Sequence, residues 1–128
     1  DRRRRRGRLR RPAQRLRAHE PRGGEQQRGQ RLLDGLKEIF EENDVPAVFT
    51  GYPAMFSFSL GVDTVTCQRD WALSDHVTYL SLVEKAIERG VMPDHDPREP
   101  WFLSYSHSNA DIDETLNVYA EIVKEVKR

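Results

Sequence analysis

The sequence predicts an α+β domain, a short and mainly antiparallel sheet with about three helices packed on one face, behind a basic arm. Three observations predict it. Apolar residues recur at helical spacing in three separate stretches. Between them lie short, β-prone runs that come in close pairs, as antiparallel neighbours do. The charge is segregated: residues 1–31 carry 13 Arg and three acids, whereas residues 32–128 carry eight basic and 18 acidic residues. The formal net charge of +0 over 128 residues is therefore a cancellation of two unlike segments.

The first segment, residues 1–30, has no aromatic residue and runs Arg2 to Arg6 unbroken. Like charges this dense repel one another, and the segment has too little apolar surface to offset chain entropy. We read it as a low-complexity, disordered arm and residues 31–128 as one small domain. An arginine run can hold nucleic acid through phosphate contacts and counterion release. No aromatic residue is interleaved to stack bases, so this binding-module reading is the alternative rather than the leading one. No apolar run approaches the ~18 residues of a membrane span. The single cysteine, Cys67, excludes an internal disulfide framework and suits a reducing, cytoplasmic setting. The chain starts at Asp1 rather than Met, which we read as a piece of something longer.

The elements follow in order. Leu32, Leu33, Leu36, Ile39 and Phe40 form the stripe of a first helix, ended by Asn43-Asp44 and Pro46. Ala47 to Thr50 is a short strand and Gly51-Tyr52-Pro53 a turn. Phe56 to Leu60 alternates apolar with small polar residues, the pattern of a half-buried strand. A second helix is predicted from Asp70 to Arg89 with the stripe Leu73, Val77, Leu80, Val83 and Ile87, closed by Gly90 as C-cap. Val91-Met92 is a short extended piece, and Trp101 to Ser106 a strand. Ser108 to Asp111 reads as a capping box that opens a last helix, with the stripe Ile112, Leu116, Tyr119, Val123 and Val126.

For chemistry, the densest polar stretch is the proline-rich loop from Pro93 to Pro100. Arg98 offers a fork for a carboxylate or phosphate, and Glu99 an acid, a base or an orienter of an amine. Both also fit a local surface pair, which contributes little. Asp94, His95 and Asp96 are adjacent, and adjacent residues rarely point at one ion, so no metal site is expected. His107 falls on the opposite strand face from Ser104 and Ser106, so a structural role is expected for it rather than activation of a serine.

The ordered set from Gly90-Val91 through Glu99-Pro100-Trp101-Phe102-Leu103-Ser104-Tyr105-Ser106-His107 to Asp111-Ile112 and Thr115-Leu116 resembles a known pattern. It is similar to the C-terminal segment of class III, fold type I, pyridoxal-phosphate-dependent aminotransferases, glutamate-1-semialdehyde 2,1-aminomutase among them. Met55-Phe56 and Gln30 to Leu36 extend the resemblance over about residues 30–128. It implies the small C-terminal domain of such an enzyme, covering an active site that a larger domain builds around a Schiff-base lysine. It implies pyridoxal 5'-phosphate as cofactor of the full-length enzyme, transfer of an amino group between small-molecule donor and acceptor or within one molecule, and a homodimer when intact. By the same resemblance Glu99 lies near the active site, with Arg98 beside it and Trp101 and Phe102 as walls. The catalytic lysine has no counterpart here: Lys37, Lys85, Lys124 and Lys127 all fall on helices of the small domain, so this piece alone is expected to be inactive. Arg98 stands where the family has an apolar or aromatic residue, which suits a carboxylate-bearing amine as substrate. Residues 1–29 have no counterpart in the family. A shifted reading frame in a GC-rich gene would produce such an arginine tract.

Overall fold

The computed structural model describes residues 23–127. The arginine run through Arg17 lies outside them. The elements are α1 (Gly24–Glu42), β1 (Ala47–Tyr52), β2 (Met55–Leu60), α2 (Gln68–Ala72), α3 (His76–Glu88), β3 (Trp101–Phe102) and α4 (Asn109–Val126). The three strands form one antiparallel sheet in the order β1-β2-β3. β2 turns Phe56, Phe58 and Leu60 into the core, and α3 packs on that strand. α4 lies against both α1 and α3, so one face of the sheet is covered by helices, as the composition of the strands predicts.

The first helix buries Leu32, Leu36, Ile39 and Phe40 of the expected stripe and leaves Leu33 half-buried. It begins at Gly24, ahead of the Arg31 start that the apolar pattern predicts, because its first turns also find packing partners. Gly29 sits so close to the β1–β2 turn that a Cβ there would lie 2.0 Å from the carbonyl oxygen of Pro53. Arg28 is buried beside it, and its guanidinium donates to the backbone carbonyl of Tyr105 at 3.3 Å. The first turns of α1, the hairpin tip and the segment after β3 thus converge at one end of the molecule.

The predicted Asp70–Arg89 helix is two helices. Ser74 Oγ donates to the Trp71 carbonyl at 2.6 Å and closes α2. Asp75 then caps α3, accepting from the Thr78 amide at 2.9 Å. Its own amide donates to the Leu60 carbonyl at 2.8 Å, which pins the break to the end of β2. Restarting at Asp75 resets the helical phase. Tyr79, Leu82, Val83 and Ala86 become the buried stripe, and Leu73 and Val77 are left in solvent.

Gly90 does close α3. It adopts φ +85°, and the Val91 amide donates to the Ala86 carbonyl at 2.9 Å while the Gly90 amide donates to Ile87 at 3.0 Å. That pair is a Schellman motif. It also explains why Val91-Met92 forms no strand, since the Val91 N–H is spent on the helix end. β3 is likewise shorter than the predicted Trp101–Ser106. The Leu103 amide still donates to Ala54, but the Ser104 amide donates to His107 Nδ1 at 2.9 Å, which turns the chain out of the sheet.

Ser108 opens α4 as predicted. Its hydroxyl accepts from the Asp111 amide at 3.2 Å, and the Asp111 carboxylate accepts from the Ser108 amide at 2.6 Å. The Ser108 amide foremost, and the Ser108 hydroxyl, which donates to the same carboxylate at 2.8 Å, hold the Asp111 carboxyl below its usual range. Ser108→Ala should cost about 1 kcal/mol, read as a lower urea midpoint with an unchanged m value.

The interior is aromatic. Phe58 packs against Phe40, Phe49, Tyr79 and Trp101, and Trp101 against Phe56 and Tyr119, with centroids 5.2 to 5.7 Å apart. Burial pushes the Tyr79 and Tyr119 phenols above the ordinary value near 10. A raised native pKa gives stability that is complete below the unfolded value and lost as pH rises through the native one. Unfolding midpoints should therefore hold steady up to about pH 9 and fall above about pH 10, and Tyr119→Phe should flatten that alkaline decline.

Candidate functional site

The loop marked by sequence, Pro93 to Pro100, is built from side chains folding back on their own backbone. Asp94 accepts from the Asp96 amide at 2.8 Å, and Asp96 accepts from the Arg98 amide at 2.9 Å. The Arg98 guanidinium then grips the Asp96 carboxylate through Nε at 3.0 Å and Nη2 at 2.6 Å. The hydrogen bonds from Arg98 hold the Asp96 carboxyl down to about 2. The pair is exposed on the Arg98 side, so it is screened and exchangeable. A ligand carboxylate would have to take the fork from Asp96.

The other two marked residues are placed differently. Glu99 is exposed on the loop surface, its amide donating to the Asp96 carbonyl at 3.0 Å. Trp101 is buried, its ring among Phe56, Phe58 and Tyr119. The fold therefore brings Arg98 onto Asp96, keeps Glu99 beside them in solvent, and gives Trp101 to the core.

Beside this loop lies a groove of about 420 Å³. Trp101, Leu32 and Ile112 contribute to its apolar lining. Met92, Phe102 and Leu103 add further apolar surface, and Asp94, His107, Asp111, Glu114 and Thr115 supply the polar side chains. Sequence reasoning did not find this groove. Gly90–Leu103 and the start of α4 meet only because the turn at Ser104–His107 folds one onto the other, and no local pattern encodes that. Met92, an apolar residue between Val91 and Pro93 at the edge of the polar loop, is the one hint the sequence offers.

His107 is structural here. Its Nδ1 accepts from the Ser104 amide at 2.9 Å, and the Ser104 hydroxyl lies 3.3 Å from the same nitrogen. With the lone pair taken by a backbone N–H, the ring is not a base for Ser104. Among the described residues no three His, Cys, Asp or Glu side chains converge to hold a metal ion. None of the helices among them is long and apolar enough to cross a membrane.

None of the described lysines lines the groove. Lys85 pairs with Glu125 and Lys127 with Asp44, both at 3.0 Å, while Lys37 lies over the Phe49 ring. The charged side chains of the groove are acidic, where a phosphate-bearing cofactor needs cations or clustered N–H donors. The described residues therefore do not fit a complete site for pyridoxal phosphate.

No family model matches the chain. Over 94 residues it is 26% identical to glutamate-1-semialdehyde 2,1-aminomutase of Methanopyrus kandleri, a match that covers 73% of this chain and 22% of that protein. Its fold superimposes on an omega-transaminase from Sphaerobacter thermophilus with a TM-score of 0.62 at 20% identity, covering 80% of this chain and 23% of that one. The chain spans about a fifth of the length of the curated relative it matches. The resemblance to an aminomutase is thus borne out, and the α+β fold is one found within a transaminase.

Proposed function

We propose that this chain is the small C-terminal segment of a pyridoxal-phosphate-dependent class III aminotransferase or aminomutase, and that it covers an active site built mainly by the rest of the enzyme. The observation that supports this most is the 94-residue match to an aminomutase, most of this chain yet about a fifth of that enzyme. The transaminase fold supports it independently. The cofactor and its lysine belong to the remainder of the enzyme, since the residues here do not fit them.

In this reading Arg98 and Glu99 are the groups that this segment offers to a substrate. Arg98, exposed and held by a screened pair, can bind and orient a carboxylate by exchanging Asp96 for it. Glu99, exposed beside it, can orient an amine by accepting its protons. Trp101 acts from below, holding the start of β3 in place while Phe102 presents its ring outward. The substrate is a small amine carrying a carboxylate, the intact enzyme is a homodimer, and its setting is cytoplasmic.

The test is to add pyridoxal phosphate to the purified chain, reduce with borohydride and map the lysines. The reading expects only slow, scattered labelling. A stoichiometric adduct at one lysine would give this chain a cofactor site of its own and sink the fragment assignment.

A further inference from the structure

Residues 61–75 leave the sheet at the end of β2 and return beside it at the start of α3 without giving the core a side chain. None of them is buried. Val62, Val65, Trp71 and Leu73 lie among them, yet none joins the apolar cluster or packs against it. The two ends of the stretch are fastened together. The Gly61 amide donates to the Pro46 carbonyl and the Asp75 amide to the Leu60 carbonyl, both at 2.8 Å. Gly61 turns the chain with φ +72°, and a Cβ on it would lie 3.3 Å from that of Asp75. Compact surface segments closed in this way are Ω-loops. Inside this one the bonds are local. The Thr66 amide and hydroxyl donate to Asp70 Oδ2 at 2.9 and 2.6 Å, and Ser74 closes α2 on the Trp71 carbonyl. Among the hydrogen bonds, ion pairs and ring contacts of the described residues, only those of Trp71 with His76 lead from α2 to a neighbouring helix or strand. The Trp71 ring stacks on that of His76, the first residue of α3, with centroids 4.2 Å and planes 29° apart. His76 Nε2 lies 3.2 Å from the Trp71 carbonyl oxygen.

We propose that residues 62–74 are a flap, hinged at Gly61 and Asp75 and latched by the Trp71–His76 stack, which opens as one unit while the sheet and α3 stay folded. Three features carry this. Lifting the flap uncovers no side chain of the core, so opening costs the latch and the bonds within α2 and little else. The other three helices each bury part of the apolar cluster and cannot leave without breaking it. The two backbone bonds at the hinges lie below the flap and survive its opening, so β2 keeps its end. And α3 does not depend on α2 for its start, because Asp75 caps it by accepting from the Thr78 amide. In the closed form the Trp71 and His76 rings cover one another; in the open form both faces are free.

Native-state amide hydrogen exchange on the full chain tests the flap. The amides of Trp71, Leu73 and Ser74 are bonded within it, to Cys67, Asp70 and Trp71 in turn. They should share one opening constant, about 100-fold or more above that of Leu82 and Val83 in α3. His76→Ala should raise the shared constant about fivefold and leave α3 unchanged, and His76→Phe, which keeps a ring on Trp71, should restore most of the protection. Trypsin gives a second reading. Arg69 is the only Lys or Arg between Lys37 and Lys85, so cleavage there reports the same opening and should speed up about fivefold in His76→Ala. Flap amides that exchange at the rate of α3 would mean that the segment opens only with the whole domain, and would overturn the flap. Unrelated rates for the three amides would overturn its opening as one unit. Protection unchanged by His76→Ala, or lost equally from the flap and α3, would overturn the latch.

Discussion

Gly29→Ala should lower stability by about 3 kcal/mol, although alanine is the better helix former by ~1 kcal/mol. The added Cβ would lie 2.0 Å from the Pro53 carbonyl oxygen and 2.4 Å from its carbon. Those are backbone atoms of a turn locked between two strands, so the obstacle cannot rotate away. Either α1 lifts off the hairpin or the turn moves and disturbs the Ala54 carbonyl that accepts from Leu103. Gly35 supplies the comparison. A Cβ there meets the Leu116 side chain at 2.6 Å, and a leucine end can change rotamer. Gly35→Ala should therefore cost less than half as much, the helix-propensity gain offsetting part of the strain. Chemical denaturation of the two variants side by side checks both. Equal midpoints would mean that the hairpin tip yields as easily as a side chain.

Trp101→Ala should cost about 3 to 5 kcal/mol, a large share of the stability of a domain this size. The ring fills the space between Phe56, Phe58 and Tyr119, and its removal leaves a cavity that three aromatic neighbours cannot close. Trp101→Phe should recover most of that loss, because it restores the aromatic contact and removes little else. Equilibrium unfolding followed by far-UV circular dichroism separates the two variants, and near-equal stability of Trp101→Ala and the parent would remove Trp101 from the core. The same pair bears on the site. In the intact enzyme, Trp101→Phe should leave substrate affinity nearly unchanged, because its ring faces inward, whereas Arg98→Ala should weaken a carboxylate-bearing substrate about tenfold or more.

Features encoded within a few residues could be read from the sequence. The stripe Leu32-Leu36-Ile39-Phe40, the alternation Phe56-Phe58-Leu60, the Ser108–Asp111 box and the Gly90 cap each rest on short-range geometry. The break between α2 and α3 was also local, a Ser74-Asp75 stop and start, but Leu73 and Val77 at helical spacing masked it. Apolar spacing alone cannot tell a continuous helix from two out-of-phase ones; the cap can. The seven residues gained at the start of α1 depend on Pro53 and Tyr105, far along the chain, so nothing local announces them. The site divides the same way. The polar loop was visible as composition, whereas the pairing of Arg98 with Asp96 and the groove beside Met92 and Phe102 come from turns and tertiary folding.

The central claim, that this chain is one segment of a larger cofactor-dependent enzyme, is tested most directly by sequencing the encoding DNA upstream of Asp1 and translating it in all three frames. The account predicts a frame that encodes a large domain alignable with the unmatched part of the aminomutase and carrying its cofactor lysine. An upstream region that encodes an unrelated protein, or no protein in any frame, would contradict it.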